Sequence, residues 1–276
     1  MKKRILITGA TSGIGFETAK SLLSLGHHVM LHGRNAEKLA NAVSDIGTPS
    51  YGGSVETIAA DLSRLADVDK LAVDVLERCD HLDVLINNAG IYKTSQTIAS
   101  DGIDVRFVVN TIAPYWLTRR LLPLMNGDGR VVNVSSAAQA PVNLAAFSEP
   151  VPLDHNAAYA QSKLALMMWS RELATTLGEN QPLVVSVNPG SLLATKMVNE
   201  TFGIPGSDVM IGADILTRAA VSDEFADASG KYYDNDSKRF GTPHPDGLDS
   251  HLSRQVIEAM DAFLASKGIA IAKVSA

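Results

Sequence analysis

The 276-residue sequence predicts an α/β fold, a doubly wound parallel sheet of about seven strands with helices on both faces, in a single domain. Three observations predict it. Short apolar runs alternate with amphipathic stretches along the whole chain, as in successive βαβ units. Several amphipathic stretches stop at a glycine, the usual residue just past a helix end. No repeat, low-complexity segment or linker divides the chain, and one α/β domain commonly takes this length.

The first strand is expected at about Arg4–Thr8, where Ile5-Leu6-Ile7 runs into Thr8-Gly9. Met1-Lys2-Lys3-Arg4 looks like the charged start of an export signal, but the apolar run after it is too short for one. A helix over Gly13–Leu25 closes at Gly26, a strand follows at His28–His32, and a helix over Ala36–Ile46 closes at Gly47. Next come a strand at Val55–Ala60, a helix at about Asp67–Cys79, a strand at Val84–Asn87, a long helix over Ile103–Met125 and a strand at Arg130–Ser135. A helix over Ala158–Leu177 closes at Gly178, before strands at Leu183–Asn188 and Gly230–Tyr233 and a last helix at Asp249–Ala265. Pro141, Pro150 and Pro152 make Gln139–Asn156 irregular, and Pro205 does the same within Leu192–Gly212. Loops of this length inside a compact domain are usually functional.

Charge is mildly acidic, with 24 Lys plus Arg against 30 Asp plus Glu. No basic run is long enough to follow a phosphate backbone, which argues against a nucleic-acid partner. The single cysteine, Cys79, is expected on a helix and cannot form an internal disulfide, so a reducing cytoplasm suits the chain. No stretch reaches the roughly 18 apolar residues of a membrane span. A soluble, cytoplasmic protein is expected, with self-association into a homo-oligomer left open. The seven histidines form no spaced set with cysteine or carboxylates, so no metal is expected.

Chemistry enters at Thr8-Gly9-Ala10-Thr11-Ser12-Gly13-Ile14-Gly15, between the first strand and the first helix. Glycines there let the backbone turn tightly and approach a pyrophosphate, while the helix N-terminus offers free N–H groups and partial positive charge. The spacing is Gly-x-x-x-Gly-x-Gly, unlike the usual Gly-x-Gly-x-x-Gly, but the position marks a Rossmann-type dinucleotide site with Gly9, Thr11, Ser12, Gly13, Ile14 and Gly15 as candidate contacts. The second strand ends His32-Gly33-Arg34. It has no carboxylate for a ribose 2′-OH, and an arginine that can pair with a 2′-phosphate, so NADP(H) is favoured over NAD(H). Arg34 can also be read as a solvated cation before the Asn35 cap. Asp61-Leu62, after the third strand, could place an acceptor and an apolar contact on the adenine, although Asp61 alone would more often be a turn residue. Tyr159 and Lys163 lie four apart on a helical pattern, hence on one face. A nearby cation favours the phenolate, so the Tyr159 pKa is expected below its usual value, making it a general acid and base.

Thr8–Gly15, Asn87-Asn88-Ala89-Gly90, Asn110, Ser135-Ser136, Tyr159-x-x-x-Lys163 and Pro189-Gly190 occur in this order. Together they resemble the short-chain dehydrogenase/reductase family over almost the whole chain. The resemblance implies an enzyme in which Tyr159 donates the proton to a carbonyl, Lys163 holds the nicotinamide ribose and tunes Tyr159, Ser136 hydrogen-bonds the substrate oxygen, and Asn110 positions a relay water. It also implies cofactor contacts at Asn87, Ala89, Gly90, Pro189, Gly190 and Thr195. Within Phe107–Ile112, a polar Asn110 would be costly without partners. Strand alternation sends Ser135 and Ser136 to opposite faces.

Ser136 and Tyr159 are 23 positions apart, with Pro152-Leu153-Asp154 between them. That insertion, about 137–156, resembles the retinol dehydrogenase-like subset, as do Gly33, Ser162-Lys163-Leu164 and Gly230-Lys231-Tyr232-Tyr233. Leu166 departs from it, standing where that subset often has Asn, and the membrane anchor of its animal members is missing. In the substrate loop, about 191–212, Leu192, Leu193, Met197, Val198, Phe202, Ile204, Val209, Met210 and Ile211 suit an apolar lid, and equally a core or a subunit contact. The favoured reading is an NADP(H)-dependent oxidoreductase acting on a medium-sized apolar carbonyl or alcohol. The alternative is a catalytically silent dinucleotide-binding sensor acting through a protein partner. The retained Asn110, Ser136, Tyr159 and Lys163 favour the enzyme.

Overall fold

Apolar side chains alternate between two layers along each central strand. Ile5, Ile7, Val84, Ile86, Val132, Val134, Val185 and Val187 face one core, whereas Leu6, Leu85, Val131 and Val184 face the other. The structure, a computed structural model, describes residues 1–178 and 181–271, with Ser50 and Phe202 described by backbone alone. In chain order the elements are β1 (Arg4–Ile7), α1 (Gly13–Ser24), β2 (His28–Gly33), α2 (Ala36–Ile46), β3 (Ser54–Ala59), α3 (Leu65–Arg78), β4 (Val84–Asn87), α4 (Val105–Phe107), α5 (Ala113–Leu121) and β5 (Arg130–Val134). There follow α6 (His155–Leu177), β6 (Leu183–Asn188), α7 (Lys196–Phe202), α8 (Met210–Val221), β7 (Tyr232–Asp234), β8 (Arg239–Gly241) and α9 (Ser250–Ser266).

The sheet has eight strands among the described residues, in the order β3-β2-β1-β4-β5-β6-β7-β8, all parallel except β8. Residues of α1, α2 and α8 fill the core on one face, and those of α3, α5, α6 and α9 fill the other. Among the described residues no helix is long and apolar enough to cross a membrane.

Four expectations are corrected. The eighth strand, β8, returns antiparallel along β7, and β7 itself begins at Tyr232 because Gly230 sits in a turn with φ +74°. The helix expected over Ile103–Met125 is broken into α4, a π-turn at Val108–Ile112, α5 and a 3₁₀ turn at Leu122–Leu124. The reason is Pro114, which has no N–H for the carbonyl of Asn110 four residues back. The Ala113 N–H reaches back five residues to Val108 O instead. The Leu192–Gly212 segment is only partly irregular, since Thr195 caps α7 and α8 starts at Met210, burying Ile215, Leu216, Ala219 and Ala220. Cys79 lies just past the end of α3 in extended backbone, with its thiol on Val75 O.

Candidate active site

The candidate groups cluster just past the carboxyl ends of β1 to β6, around the point where strand order reverses between β1 and β4. Open α/β sheets form their ligand crevice there. Thr8 builds the corner. Its hydroxyl accepts the N–H groups of Asn88 and Ala89, each at 3.0 Å, while Asn88 Nδ2 donates to the carbonyls of Thr8 (2.9 Å) and Gly9 (3.0 Å). The segment after β4 is thereby stitched to the glycine turn after β1. A Cβ on Gly9 would stand 2.8 Å from Ala89 Cα, and one on Gly15 would stand 2.4 Å from Asn88 Nδ2, so neither position has room for a side chain. Gly9 (φ +65°) and Gly13 (φ +60°) also need left-handed backbone. Ser12 caps α1 without a side-chain bond, and the first turn holds no acidic residue. Those N–H groups are left for an anion.

His32, which the sequence reading did not single out, supports the same turn. Gly9 N–H donates to His32 Nδ1 (3.3 Å), and Nε2–H donates to Ala60 O (3.0 Å). That pattern needs a neutral imidazole, and burial pushes the His32 pKa down to about 4. At Gly33 a Cβ would lie 2.5 Å from the Thr11 methyl, so the end of β2 has no room for a carboxylate. Arg34 follows, exposed and in no ion pair among the described residues. Asp61 Oδ1 accepts the N–H (3.0 Å) and hydroxyl (2.8 Å) of Ser63, forming a turn beside buried Leu62. Asn87 points its side chain into the core, where Nδ2 donates to Asn133 Oδ1 (2.8 Å) and Thr118 Oγ1 (3.1 Å). What Asn87 offers at the crevice is backbone.

Ser136 lies two residues past β5, with its hydroxyl accepting Ala138 N–H (3.1 Å) and lying close enough to the Tyr159 phenol to pull its pKa down. Ser135 faces the other way, buried, its hydroxyl without a partner among the described residues. Asp154 caps α6 by accepting Ala157 N–H (2.8 Å), and the helix then presents half-buried Tyr159 and, one turn on, Lys163. Lys163 is 3% exposed, donates to Val134 O (2.7 Å) and holds its Nζ 5.7 Å from the centre of the Tyr159 ring. Gly90 borders this group, since its Cβ would lie 3.4 Å from both Lys163 Nζ and Asn110 Oδ1.

The lowered phenol expected from the Tyr159–Lys163 spacing is not found. Burial pushes the Tyr159 pKa above its usual value, against the Ser136 hydrogen bond that pulls it down, and burial also pushes Lys163 down to about 8. Desolvation penalises both charged forms, and it is the largest influence on each. Both ends of the Asn110 amide are held. Oδ1 accepts Ile91 N–H (2.8 Å), and Nδ2 donates to Ile91 O (2.9 Å) and Ser162 Oγ (3.0 Å), whose own hydroxyl donates to Tyr159 O (2.7 Å). The backbone carbonyl of Asn110 is the one that Pro114 leaves without an α-helical donor, and it offers a further acceptor for a water.

After β6, Pro189 and Gly190 are held by residues that sequence reasoning missed. Asn235 Nδ2 donates to Pro189 O (2.9 Å), while Asp236 accepts the N–H (2.8 Å) and hydroxyl (2.6 Å) of Ser191. Thr195 caps α7 and lies 3.5 Å from where a Gly13 Cβ would be, and Ile14 packs on Gly212 of α8. The Leu192–Gly212 segment thus folds over the glycine turn, with Leu193 buried and Leu192, Met210 and Ile211 exposed. A separate cavity of about 280 Å³ borders Met167, Arg171, Lys231, Tyr232 and Phe240, farther along α6, and shares no candidate residue with the crevice.

Comparison with known proteins agrees with this geometry. Residues 3–203 match the family model for short chain dehydrogenases. Retinol dehydrogenase 13 of Homo sapiens is 30% identical over 92% of this chain and 82% of its own length. Polyprenol dehydrogenase of Homo sapiens is 34% identical over 67% of this chain and 59% of its own length. A crystal structure of a protein from Mycobacterium Paratuberculosis superposes with a TM-score of 0.76 at 26% identity, covering 95% of this chain and 93% of that one. The chain belongs to the short-chain dehydrogenase/reductase family of oxidoreductases, within its retinol dehydrogenase-like subset.

Proposed function

We propose that this chain is an NADP(H)-dependent carbonyl reductase or alcohol dehydrogenase for medium-sized, mainly apolar substrates, with Tyr159 as general acid and base. The observation that carries the reading is the placing of Tyr159 beside Ser136 and one helical turn from Lys163, a buried cation with no carboxylate beside it. The bare first turn of α1, the side-chain-free contacts at Gly9 and Gly15 and the exposed Arg34 fit a phosphorylated dinucleotide. When bound, such a cofactor supplies or accepts the hydride.

The remaining chemistry falls to the protein. Ser136 and Tyr159 together can hold one carbonyl oxygen by two hydroxyl donors. With its pKa raised, Tyr159 keeps its proton at neutral pH and is ready to give it to a developing alkoxide. The phenolate left behind is stabilised by Ser136 and by the Lys163 ammonium. Lys163 has two further N–H donors, suited to ribose hydroxyls. Gly33 and Arg34 support a preference for NADP(H), because a carboxylate is sterically excluded and a guanidinium is free to pair a 2′-phosphate. The exposed Leu192, Met210 and Ile211 support an apolar substrate, as do relatives named for retinol and polyprenol.

A ketone, aldehyde and alcohol screen with NADPH and NADP tests the activity, read by absorbance of the reduced nicotinamide. Tyr159→Phe is expected to remove turnover and leave cofactor affinity nearly unchanged; wild-type turnover in that variant would overturn the mechanism. Arg34→Ala is expected to weaken NADPH about ten- to hundredfold and NADH little, in line with charge-assisted hydrogen bonds. Tighter binding of NADH than NADPH to the unmodified protein would reverse the assignment. Along a homologous methyl ketone series kcat/KM should rise by roughly fourfold per methylene until the pocket is full, and a flat series led by short keto acids would refute the apolar pocket.

A further inference from the structure

Tyr92 has no part in the chemistry above, yet its ring lies beside that of Tyr159, with centres 4.6 Å apart and planes tilted by 47°. Its hydroxyl donates to Asn156 Oδ1 in the first turn of α6, three residues before Tyr159. Both ends of this bridge are anchored. The residue preceding Tyr92, Ile91, has its N–H and its carbonyl both bound by the Asn110 amide. Asn156 follows His155, whose Nδ1 accepts from the buried Arg106 at 2.7 Å, and lies in the turn that Asp154 caps. The half-buried Tyr92 ring therefore stands on fixed backbone on one side of the phenol, with Ser136 also beside the phenol.

A carbonyl oxygen within reach of both Ser136 and Tyr159 must keep its two substituents within a few ångströms of the phenol. One of them then meets the neighbouring aromatic ring. Aromatic faces pack well against flat π-systems in offset or tilted arrangements. A saturated ring of the same atom count is thicker and lacks the complementary charge distribution.

We infer that Tyr92 is a positioning and specificity-determining residue, whose ring braces Tyr159 and flanks the substituent of the reacting carbonyl, favouring flat aryl or conjugated carbonyls over saturated ones of equal size. The inference rests on the reductase reading above. Acetophenone and cyclohexyl methyl ketone form a matched pair of probes, because they differ in flatness and share their carbon skeleton.

The test measures kcat and KM for both ketones with NADPH, in the unmodified protein and in Tyr92→Leu, Tyr92→Phe and Asn156→Ala. Tyr92→Leu is expected to lower the acetophenone to cyclohexyl methyl ketone ratio of kcat/KM by about two- to tenfold, mainly through KM. Tyr92→Phe keeps the ring and should keep the ratio. It should lower kcat for both ketones by about two- to threefold, as should Asn156→Ala, because each loses the bridge to α6. An unchanged ratio in Tyr92→Leu overturns the inference, and so does a fall of that ratio in Tyr92→Phe as large as in Tyr92→Leu. Loss of NADPH binding in Tyr92→Leu, followed by nicotinamide fluorescence, also counts against it, since the ring is assigned to the substrate side. Tyr159→Phe is run in parallel. Turnover there close to wild type would sink the reductase reading itself, whatever the ratio does.

Discussion

Arg106 and Lys163 are both buried cations close to the amino-terminal half of α6, and the protein treats them in opposite ways. Arg106 is 0% exposed, and its guanidinium is enclosed by partners. Nε donates to Asp104 Oδ1 (2.8 Å), a second nitrogen donates to Asp104 Oδ2, and a third donates to His155 Nδ1 (2.7 Å). Lys163, at 3% exposed, donates to a single carbonyl and has no carboxylate beside it. A buried charge without a counter-charge destabilises a fold, so its retention marks chemistry, whereas a closed network such as that of Arg106 marks a brace. Position agrees, since Arg106 fixes the turn that starts α6 and Lys163 sits one turn beyond the candidate acid.

The comparison breaks most clearly if Lys163 is made apolar. Lys163→Met is expected to lower turnover by about 10²- to 10⁴-fold and to weaken NADPH binding. Steady-state kinetics with a fluorescence titration checks this, and near-normal turnover would mean that the cation is a relic. Arg106→Met should instead strike the fold, at a cost of about 3–5 kcal/mol in urea unfolding, because it strands the Asp104 carboxylate in the core. Adding Asp104→Leu should recover part of that loss. A double variant no more stable than the single one would show that Arg106 braces α6 by packing, not charge.

The same lysine carries a third expectation of opposite sign. Its pKa of about 8 in the fold, against 10.5 in the unfolded chain, means that below pH 8 both states are protonated and the fold carries the full penalty. Between pH 8 and 10.5 the folded state sheds its proton first, and stability rises with pH. Lys163→Met should therefore stabilise the protein at pH 7 by on the order of 3 kcal/mol, a gain that shrinks as pH approaches 10.5. Unfolding curves at pH 7 and 10 measure it. A loss of stability at both would place the ammonium among the braces.

These contrasts also explain what could be read from the chain. Parallel strands buried on both faces are runs of apolar residues, so Ile5-Leu6-Ile7 and Val84-Leu85-Ile86 lie where the sequence puts them. In β8, Arg-Phe-Gly is short, exposed and without a pattern, and nothing local announces it. The helix α8 follows Pro205-Gly206 and holds Gly212 in its first turn, so its apolar stripe gains meaning only once α1 covers it. Tyr159 and Lys163 were legible because their chemistry depends on residue type and on spacing along one helix, and Ser136 through the ordered motifs that resemble the family. His32, Tyr92, Asn235 and Asp236 were not, nor was the part that Asn88 plays within its motif. Their partners lie 23 to 80 positions away, and a lone polar residue carries no local sign of a contact that only the sheet topology creates.

His32 extends the comparison to a buried group that must stay neutral, and it gives the smallest expected effect. Its Nδ1 accepts Gly9 N–H and its Nε2–H donates to Ala60 O, so a second ring proton would replace an acceptor with a donor facing another donor. With a folded pKa of about 4 against 6.5 in the unfolded chain, the unfolded state binds the proton first as pH falls. Stability is then lost between pH 6.5 and 4, and the fall from pH 6.5 to 5 should come to about 2 kcal/mol. His27 and His28 are also lowered by burial and act in the same direction, so the wild-type slope alone does not isolate His32. His32→Gln does. It should lower the plateau at pH 7, because an amide cannot span Gly9 and Ala60 as the ring does, and flatten the slope between pH 6.5 and 5 by that amount. Urea unfolding across this range distinguishes the two. A variant with the wild-type slope would show that His32 titrates alike in both states, and the glycine turn would then owe nothing to a neutral ring.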